Sequence, residues 1–362
     1  MHEFVSGGGL AGQDVPASLA REGSAMLTAL VADLAAIDGH QIVTTVDPRF
    51  PLAAPAGVDV VTLSPMKRAR GTLLNALISS VDAVWLVAPE TDRRLERLTA
   101  RAERKGIALL GSGSAAIRRA SDKAALPRLL EQHGVPHPKT RVIDPSRADW
   151  KADLKIAARE LGYPLVVKPA RGAGCEGVSL AHDGRELGQA VAMARQTTGG
   201  GRLVLQRYVR GVAASVSLLA DGRRAVALTT NAQHVRGTRP FAYRGGTTPL
   251  DHPLARRAGE EAVRACQAIP GLRGHIGVDL ILAGPEAFVI EVNPRLTTSY
   301  LGVRAALDQN VAAMTLAACA GTLPDPSPAR RCVRFTAGGR ILRKTGEQGP
   351  PEYSGGQGPP EQ

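Results

Sequence analysis

The sequence predicts a mixed α/β (α+β) protein: a small parallel α/β domain over residues 1–117, a two-lobed segment divided into 118–205 and 206–342, and a tail over 343–362. Three observations carry that expectation. Apolar segments with helical spacing alternate with short branched runs, as in helices packed on a sheet. A glycine-rich stretch, VVKPARGAGCEGVSL, lies between two extended apolar runs and reads as strand, loop, strand. GVDLIL and FVIEVN flank a Gly284-Pro285 turn signal and read as a hairpin carrying Asp279, Glu291 and Asn293.

The chain opens with MHEFVSGGGL, a brief extended piece followed by three glycines, and then a segment from Ser18 to Ile37 with helical apolar spacing. Either the first strand is short or the start lies upstream of Met1. QIVTTVD, VDVVTL, AVWLVAP and IALLGSG supply further strands, with helices expected near Gly71 to Ser80 and Arg93 to Arg104. Gly7, Gly8 and Gly9 lack the spacing of a dinucleotide fingerprint, so NAD is not assigned to them.

From Ser121 the pattern changes. SDKAALPRLLEQHGVPHPKT reads as a short helix, a glycine turn and a proline-bounded loop; WKADLKIAAREL reads as a helix and YPLVVKPA as a strand. RLVLQRYV and AASVSLLA are strands, and ADGRRAVALTTN continues as a hairpin. An alanine-rich helix is expected over 255–268, and one later helix over LGVRAALDQNVAAMTLAACAG. The end, TGEQGPPEYSGGQGPPEQ, has the Gly, Pro, Gln and Glu content of a disordered tail.

Composition excludes several classes. The formal net charge is +12, but the arginines are scattered and form no compact basic tract, and only 3% of residues are aromatic, too few for base-stacking platforms. Nucleic acid is therefore not an expected partner. Cys175, Cys266, Cys319 and Cys332 lie far apart without ligand spacing and read as reduced thiols of a cytoplasmic protein. No apolar stretch reaches membrane-spanning length, and no basic region with a secretory core opens the chain, so no membrane partner is expected.

The hairpin carries the chemistry. Asp279 and Glu291 are equally far from Pro285, so folding there opposes them, and alternation puts Asn293 on the face of Glu291 while Leu280, Leu282, Ile290 and Val292 turn toward a core. Two carboxylates about 5 Å apart repel unless a cation sits between them. Mg2+ suits such a set, because it takes carboxylate and amide oxygens and leaves positions for phosphates, with Mn2+ able to substitute. A solvated polar sheet face is the bland alternative. In the glycine-rich loop, Gly172, Gly174 and Gly177 free backbone N–H groups to meet phosphates, and Lys168 ends the preceding strand beside them. Lys123, placed at the start of a helix, is a second cation for phosphate or else a solvated surface lysine. Around VLQRYV, Gln206 or a nearby backbone amide would bond a base, with Tyr208 and Val209 offering apolar contact. Arg295 follows Asn293 closely enough for its guanidinium to clamp a transferring phosphoryl group.

Taken in order, SDKAAL, VVKPARGAGCEGVSL, VLQRYVRG, GVDLIL and VIEVNPRLTTSY resemble the ATP-grasp superfamily of carboxylate-amine ligases over residues 118–320. That resemblance implies a nucleotide held between two lobes, ATP and Mg2+ as cofactors, and small carboxylate and amine substrates. It further implies that Lys123 and Lys168 bind phosphates, that residues 170–177 with Arg171, Gly172, Gly174 and Gly177 form the lid, and that Gln206, Arg207, Tyr208 and Val209 hold adenine. Asp279, Glu291 and Asn293 would hold magnesium, with Arg295 and Lys168 acting on the transferring group. Gln206 departs from the carboxylate that many relatives carry in this hinge. EFVSGGGL followed by SLAREGSAML resembles tyramine-glutamate ligases of methanofuran-type cofactor assembly, which implies that Glu3, Ser6, the three glycines, Arg21, Glu22 and Ser24 line the substrate cleft. A tight turn and an ordinary helix start is the competing reading there. D-alanine-D-alanine-like or other amino-acid ligation, a carboxylase and a Mg-ATP sensor stay open as alternatives, as does a homodimer.

Overall fold

A computed structural model describes residues 1–172, 175–198 and 200–343; Gly174 and the expected tail from 344 lie outside the described residues. The first region contributes β1 (His2–Glu3), β2 (Ile42–Val46), β3 (Val58–Thr62), β4 (Ala83–Val84), β5 (Leu86–Val87) and β6 (Ala108–Leu109). They pair in parallel as β1 with β5, β2 with β3 and β4 with β6. Helices α1 (Ala17–Ala35), α2 (Lys67–Ser79) and α3 (Arg94–Arg104) accompany these strands. Leu27, Leu30, Val31 and Leu34 recur at helical spacing on α1 and are all buried.

Two short helices follow, α4 (Ser114–Ala120) and α5 (Leu126–Gln132). Pro127 occupies the first turn of α5, where its missing N–H costs no bond, and Asp122 Oδ1 accepts from Ala124 N at 3.0 Å just ahead of it. A four-stranded antiparallel sheet comes next: β7 (Thr140–Ile143), β8 (Leu165–Pro169), β9 (Ser179–Ala181) and β10 (Leu203–Arg207), in the order β7-β10-β8-β9. Helices α6 (Trp150–Leu161) and α7 (Gly184–Thr198) belong to the same lobe, whose core gathers Leu161, Leu165, Val167, Val191, Leu203 and Leu205.

The largest sheet has seven antiparallel strands: β11 (Val212–Asp221), β12 (Ala225–Arg236), β13 (Ala242–Thr248), β14 (Arg273–Ala283), β15 (Glu286–Asn293), β16 (Val333–Thr336) and β17 (Ile341–Arg343). Their spatial order is β15-β14-β11-β12-β13-β16-β17. Helix α8 (Ala255–Gln267) lays Ala258, Ala262 and Ala265 against one face, where Val216, Leu218, Val278 and Leu280 are fully buried. Alternation turns Ser215, Ser217, Gly277 and Asp279 to the other face. Gly277 is required there, since a Cβ would stand 2.6 Å from Thr297 Cγ2 in the loop that follows β15.

The single helix expected over residues 301–321 is instead two, α9 (Tyr300–Ala306) and α10 (Val311–Cys319). Asn310 starts the second: its side-chain oxygen accepts from Ala313 N at 3.1 Å, an N-cap that ends continuity with α9. These helices dock the first region. Arg304 grips Asp33 of α1 through Nε at 2.8 Å and Nη2 at 2.6 Å, Tyr300 Oη donates to the same carboxylate, and Asn310 Nδ2 donates to Asp33 O. Met26, Leu30, Trp85, Tyr300, Val303 and Val311 form the apolar contact behind those bonds. No helix among the described residues is long and apolar enough to cross a membrane.

Leu280, 1% exposed beneath α8, supports the strand that carries Asp279. Leu280→Ala is expected to cost about 2–5 kcal/mol of unfolding free energy, read by urea denaturation.

Candidate active site

Asp279 opposes Glu291 across β14 and β15, and Gly277 opposes Asn293, but the turn does not produce that pairing alone. Ala283 pairs with Glu286 around the two-residue Gly284-Pro285 loop, a register that continues to Leu280 with Val289 and would next bring Ile290 to Asp279. A bulge between Asp279 and Leu280 inserts one residue on β15 and moves Glu291 into place. The expectation that Ile290 turns into the core is corrected accordingly: Val289, 1% exposed, fills that position and Ile290 is only half-buried.

Asp279 Oδ1 accepts from Gln233 Nε2 at 2.7 Å, and its Oδ2 accepts from Asn293 Nδ2 at 3.1 Å. Lys123 Nζ stands 3.1 Å from Glu291 Oε2 and donates to Gly172 O at 2.7 Å. Burial, then the adjacent Glu291 charge, lifts the Asp279 carboxyl well above its ordinary range. Burial alone would raise Glu291 too, but the Lys123 and Lys168 ammonium groups hold it below that range. Among the described residues no cluster brings three His, Cys, Asp or Glu side chains together. Two facing carboxylates and one amide nevertheless fit Mg2+, which commonly takes one or two protein carboxylates and fills its other positions with water or phosphate oxygen.

Lys123 does not begin a helix. It lies in the turn between α4 and α5, where its N–H donates to Ala170 O at 3.0 Å and ties that turn to the base of the glycine-rich loop. Burial opposes its charge, yet Glu291 and Glu90 outweigh burial and raise its pKa. Lys168, on β8, pairs across with Val204, while Gln206 pairs with Val166, so the two polar side chains are diagonal neighbours on one face. Lys168 Nζ donates to Gln206 Oε1 at 3.1 Å, and Gln206 Nε2 donates to Thr140 Oγ1 at 3.0 Å. With a neutral partner, Lys168 is brought down to about 8, chiefly by burial. Cys175, with a left-handed φ of 64°, joins this group, its thiol pushed up to about 12 by burial and by Glu291 and Asp279.

Other expected residues sit further from this centre. Arg171 bonds Asp122 Oδ2 at 3.2 Å, sharing it with Arg202 at 3.1 Å, so it anchors the loop base. Gly172 contributes its carbonyl to Lys123 and Gly177 is buried at the loop's far end. Arg207 is exposed at the end of β10, while Tyr208 and Val209 are half-buried in the crossing to β11. Glu3 and Ser6 turn inward: Glu3 accepts from Ser6 N and Ser6 Oγ at 2.6 Å and from Val5 N at 3.1 Å. Gly7 and Gly8 are buried in the same turn, Gly9 and Ser24 are half-buried, and Arg21 is exposed.

Arg295 is committed across the domain boundary. Its Nε and Nη2 meet both oxygens of Glu90, at 2.8 and 2.9 Å, with the two side chains 14% and 4% exposed. Burial would lower its pKa, but Glu90, then Glu22 and Glu291, raise it. Glu90 and Gln233 were not singled out in the sequence. Gln233 was discoverable from the alternating Thr229, Asn231 and Gln233 of β12, and Glu90 from its place just beyond the carboxyl end of β5, where α/β domains present ligand-facing groups.

The domain models that this chain matches are an ATP-grasp domain over residues 120–299 and a pre ATP-grasp 3 domain over 40–117. It is 30% identical over 239 residues to a D-alanine–D-alanine ligase of Gloeobacter violaceus, covering 62% of this chain and 76% of that protein. The chain belongs to the ATP-grasp superfamily. Another relative is the tyramine–L-glutamate ligase of Methanocaldococcus fervens, 30% identical over 224 residues; these cover 62% of each chain, so this one spans less than two thirds of its length. A solved structure from Archaeoglobus fulgidus, ascribed to the ATP-grasp superfamily, aligns with a TM-score of 0.66 and 26% identity over 92% of this chain and 90% of that one.

Removing one partner of a buried ion pair leaves the other charge uncompensated, so Glu90→Ala in this ATP-grasp protein is expected to cost about 3–5 kcal/mol in a denaturant titration. Lys168 is charged below about 8 and loses its proton as pH rises through that value. Affinity for anionic nucleotide should therefore fall as pH is raised through about 8, and Lys168→Arg, always charged, should flatten the fall in a calorimetric titration with ADP.

Proposed function

We propose that this protein is an ATP-dependent carboxylate-amine ligase that releases ADP and phosphate and joins glutamate to tyramine or a related aromatic amine. The observation that carries the reading is the convergence of Asp279, Glu291 and Asn293 with Lys123 and Lys168 at the mouth of the glycine-rich loop. Such a site holds a polyphosphate between cationic side chains on one lobe and a divalent-cation cradle on the other. Bound there, Mg2+ would offset negative charge on phosphate oxygens.

A carboxylate is a poor acyl donor because oxide is a poor leaving group. Transfer of the γ-phosphoryl group to it gives an acylphosphate, and attack by an amine then forms the amide and expels phosphate. Lys168 and Lys123 would hold the phosphates, and Arg295, steadied by Glu90, would face charge developing on the transferring group. The loop between β8 and β9 would exclude water from the acylphosphate. The glutamate and tyramine assignment is supported by the opening EFVSGGGL and SLAREGSAML segments and by similarity to the Methanocaldococcus enzyme, and it places the protein in assembly of a methanofuran-type cofactor in the cytoplasm. Similarity to D-alanine–D-alanine ligases favours a second reading, in which another amino acid supplies the amine.

The test is ADP release in a substrate screen, with mass spectrometry of the amide. Glutamate with tyramine is expected to drive turnover and D-alanine alone is not; the reverse outcome selects the second reading. Bicarbonate-dependent turnover would point to a carboxylase, and Mg-ATP binding with no amine-dependent ADP release to a sensor. Glu291→Gln is expected to lower kcat, measured per folded molecule, at least about a hundredfold, because one charge-stabilising group of the transfer step is lost.

A further inference from the structure

The sheet face that bears Asp279 also carries a buried group of hydroxyls around one amide, to which the reading above gives no role. Asn231 of β12, 1% exposed, is its centre. Its Oδ1 accepts from Thr229 Oγ1 at 2.9 Å and from Thr248 Oγ1 at 2.7 Å, and its Nδ2 donates to Ser217 Oγ at 3.2 Å and to Ser215 Oγ at 3.4 Å. Two acceptor positions and two hydrogens of the amide are thus all in use. From Ser217 the contacts run outward to the loop after β15: Ser299 Oγ lies 3.0 Å away, and Thr297 Oγ1 lies 2.9 Å from Ser299 Oγ. Ser217 and Ser299 are buried, whereas Thr297 is half-buried.

The direction of these bonds follows from counting hydrogens. With its amide turned the other way, Asn231 would meet Thr229 and Thr248 with N–H groups, and two buried hydroxyls would lose their only acceptor among the described residues. The amide is therefore fixed, and Ser217 Oγ receives its N–H. Ser217 has one hydrogen, which goes to Ser299 Oγ, and Ser299 in turn gives its own to Thr297 Oγ1. Thr297 keeps a hydrogen for which no described residue provides an acceptor. Its hydroxyl stands over the site: a Cβ on Gly277 would come within 3.1 Å of Thr297 Oγ1, and Gly277 pairs with Asn293 and is one alternation from Asp279 on the same face. We propose that Asn231 is a positioning residue: through Ser217 and Ser299 its amide turns the Thr297 hydrogen outward on the Asp279 face, two residues past Arg295, to meet an anionic oxygen of the carboxylate substrate. This rests on the ligase reading. Because Ser299 already donates to it, Thr297 satisfies its own hydrogen only outward, which favours an acceptor, above all an anionic one, over a donor such as an ammonium.

The test uses the full chain with Mg-ATP and the carboxylate–amine pair that releases ADP in the screen above, and reads kcat/KM for the carboxylate per folded molecule. Thr297→Val, which keeps the shape and loses the hydroxyl, is expected to lower it about ten- to a hundredfold, while Thr297→Ser stays within about threefold of the unaltered protein and the KM for ATP within about twofold. Asn231→Asp keeps the size but puts an acceptor where Nδ2 donates, so Ser217, Ser299 and Thr297 each turn their hydrogen inward and the outward donor is lost. It is expected to lower kcat/KM by a similar factor alone, and by less than about threefold when added to Thr297→Val, because both act on one hydrogen. Losses that multiply, or full activity in Thr297→Val, overturn the assignment. Ser217→Ala, which removes the link and lets Ser299 turn either way, covers the case in which Asn231→Asp does not fold. It should lower kcat/KM at least about threefold alone and leave Thr297→Val unchanged, and full activity overturns the relay. Absence of amine-dependent ADP release from the unaltered protein with every pair screened would instead overturn the ligase reading, and this inference with it.

Discussion

Two carboxylates forced together in a poorly hydrated place are the constraint around which this site is built. Asp279 and Glu291 face one another because a bulge aligns them, and neither can move without moving a strand of the central sheet. Left to themselves both would be pushed toward the protonated state, but they divide. Glu291 has the ammonium of Lys123 at 3.1 Å and is held ionised; Asp279 has only the amides of Gln233 and Asn293 and is pushed upward. A pair so divided has a surplus of oxygen lone pairs and a shortage of positive charge, which is the condition under which a divalent cation gains most by binding. The lysine comes from the turn that is bonded to the base of the glycine-rich loop, so the same charge balance links that loop to the hairpin.

The N-terminal region is tied to this arrangement through ions as well as through apolar contact. Arg304 and Tyr300 converge on Asp33, and Arg295 on Glu90, so two guanidinium groups on the large lobe each find a carboxylate on the other side. Bidentate pairs fix orientation as well as distance. For Arg295 the consequence is functional in the proposed reaction: a guanidinium already held at Nε and Nη2 presents a defined edge to a phosphoryl group and need not be ordered when the substrate arrives.

Much of this was readable in the chain because it depends on local order. Alternation along β14 and β15 put Asp279, Glu291 and Asn293 on one face, and the apolar repeat of α1 and the strand–loop–strand reading around Lys168 follow from periodicity alone. Taking Pro285 as the centre of the turn gives the same hairpin pairing that a two-residue loop and a later bulge combine to produce; the bulge leaves no mark in residue type, because the extra residue, Ile290, is as apolar as Val289 before it. What could not be read is long-range. Lys123 and Glu291 are separated by most of two lobes in sequence, Arg295 and Glu90 by a domain boundary, and no spacing rule brings such residues together. The split between α9 and α10 does leave a mark in the chain: Asp308, Gln309 and Asn310 interrupt the apolar pattern, Leu307 leaves the first helix in an extended conformation and Asn310 caps the second.

Gln206 shows how one atom's difference in chemistry can tune the site. A carboxylate at that position would bond Lys168 as an ion pair and hold its ammonium charged by internal compensation. The amide supplies a hydrogen-bond acceptor at 3.1 Å but no charge, and Lys168 is accordingly drawn down to about 8 by burial. In the proposed reaction such an ammonium, without a counter-charge on β10, would gain one as phosphate oxygens approach, so favourable Coulomb energy would be kept for the ligand and not spent within the lobe. Lys123 is the opposite case, already paired with Glu291 and raised. In the proposed reaction both lysines would hold phosphate oxygens, and they differ in what each ammonium meets before the ligand arrives, a carboxylate for Lys123 and an amide for Lys168.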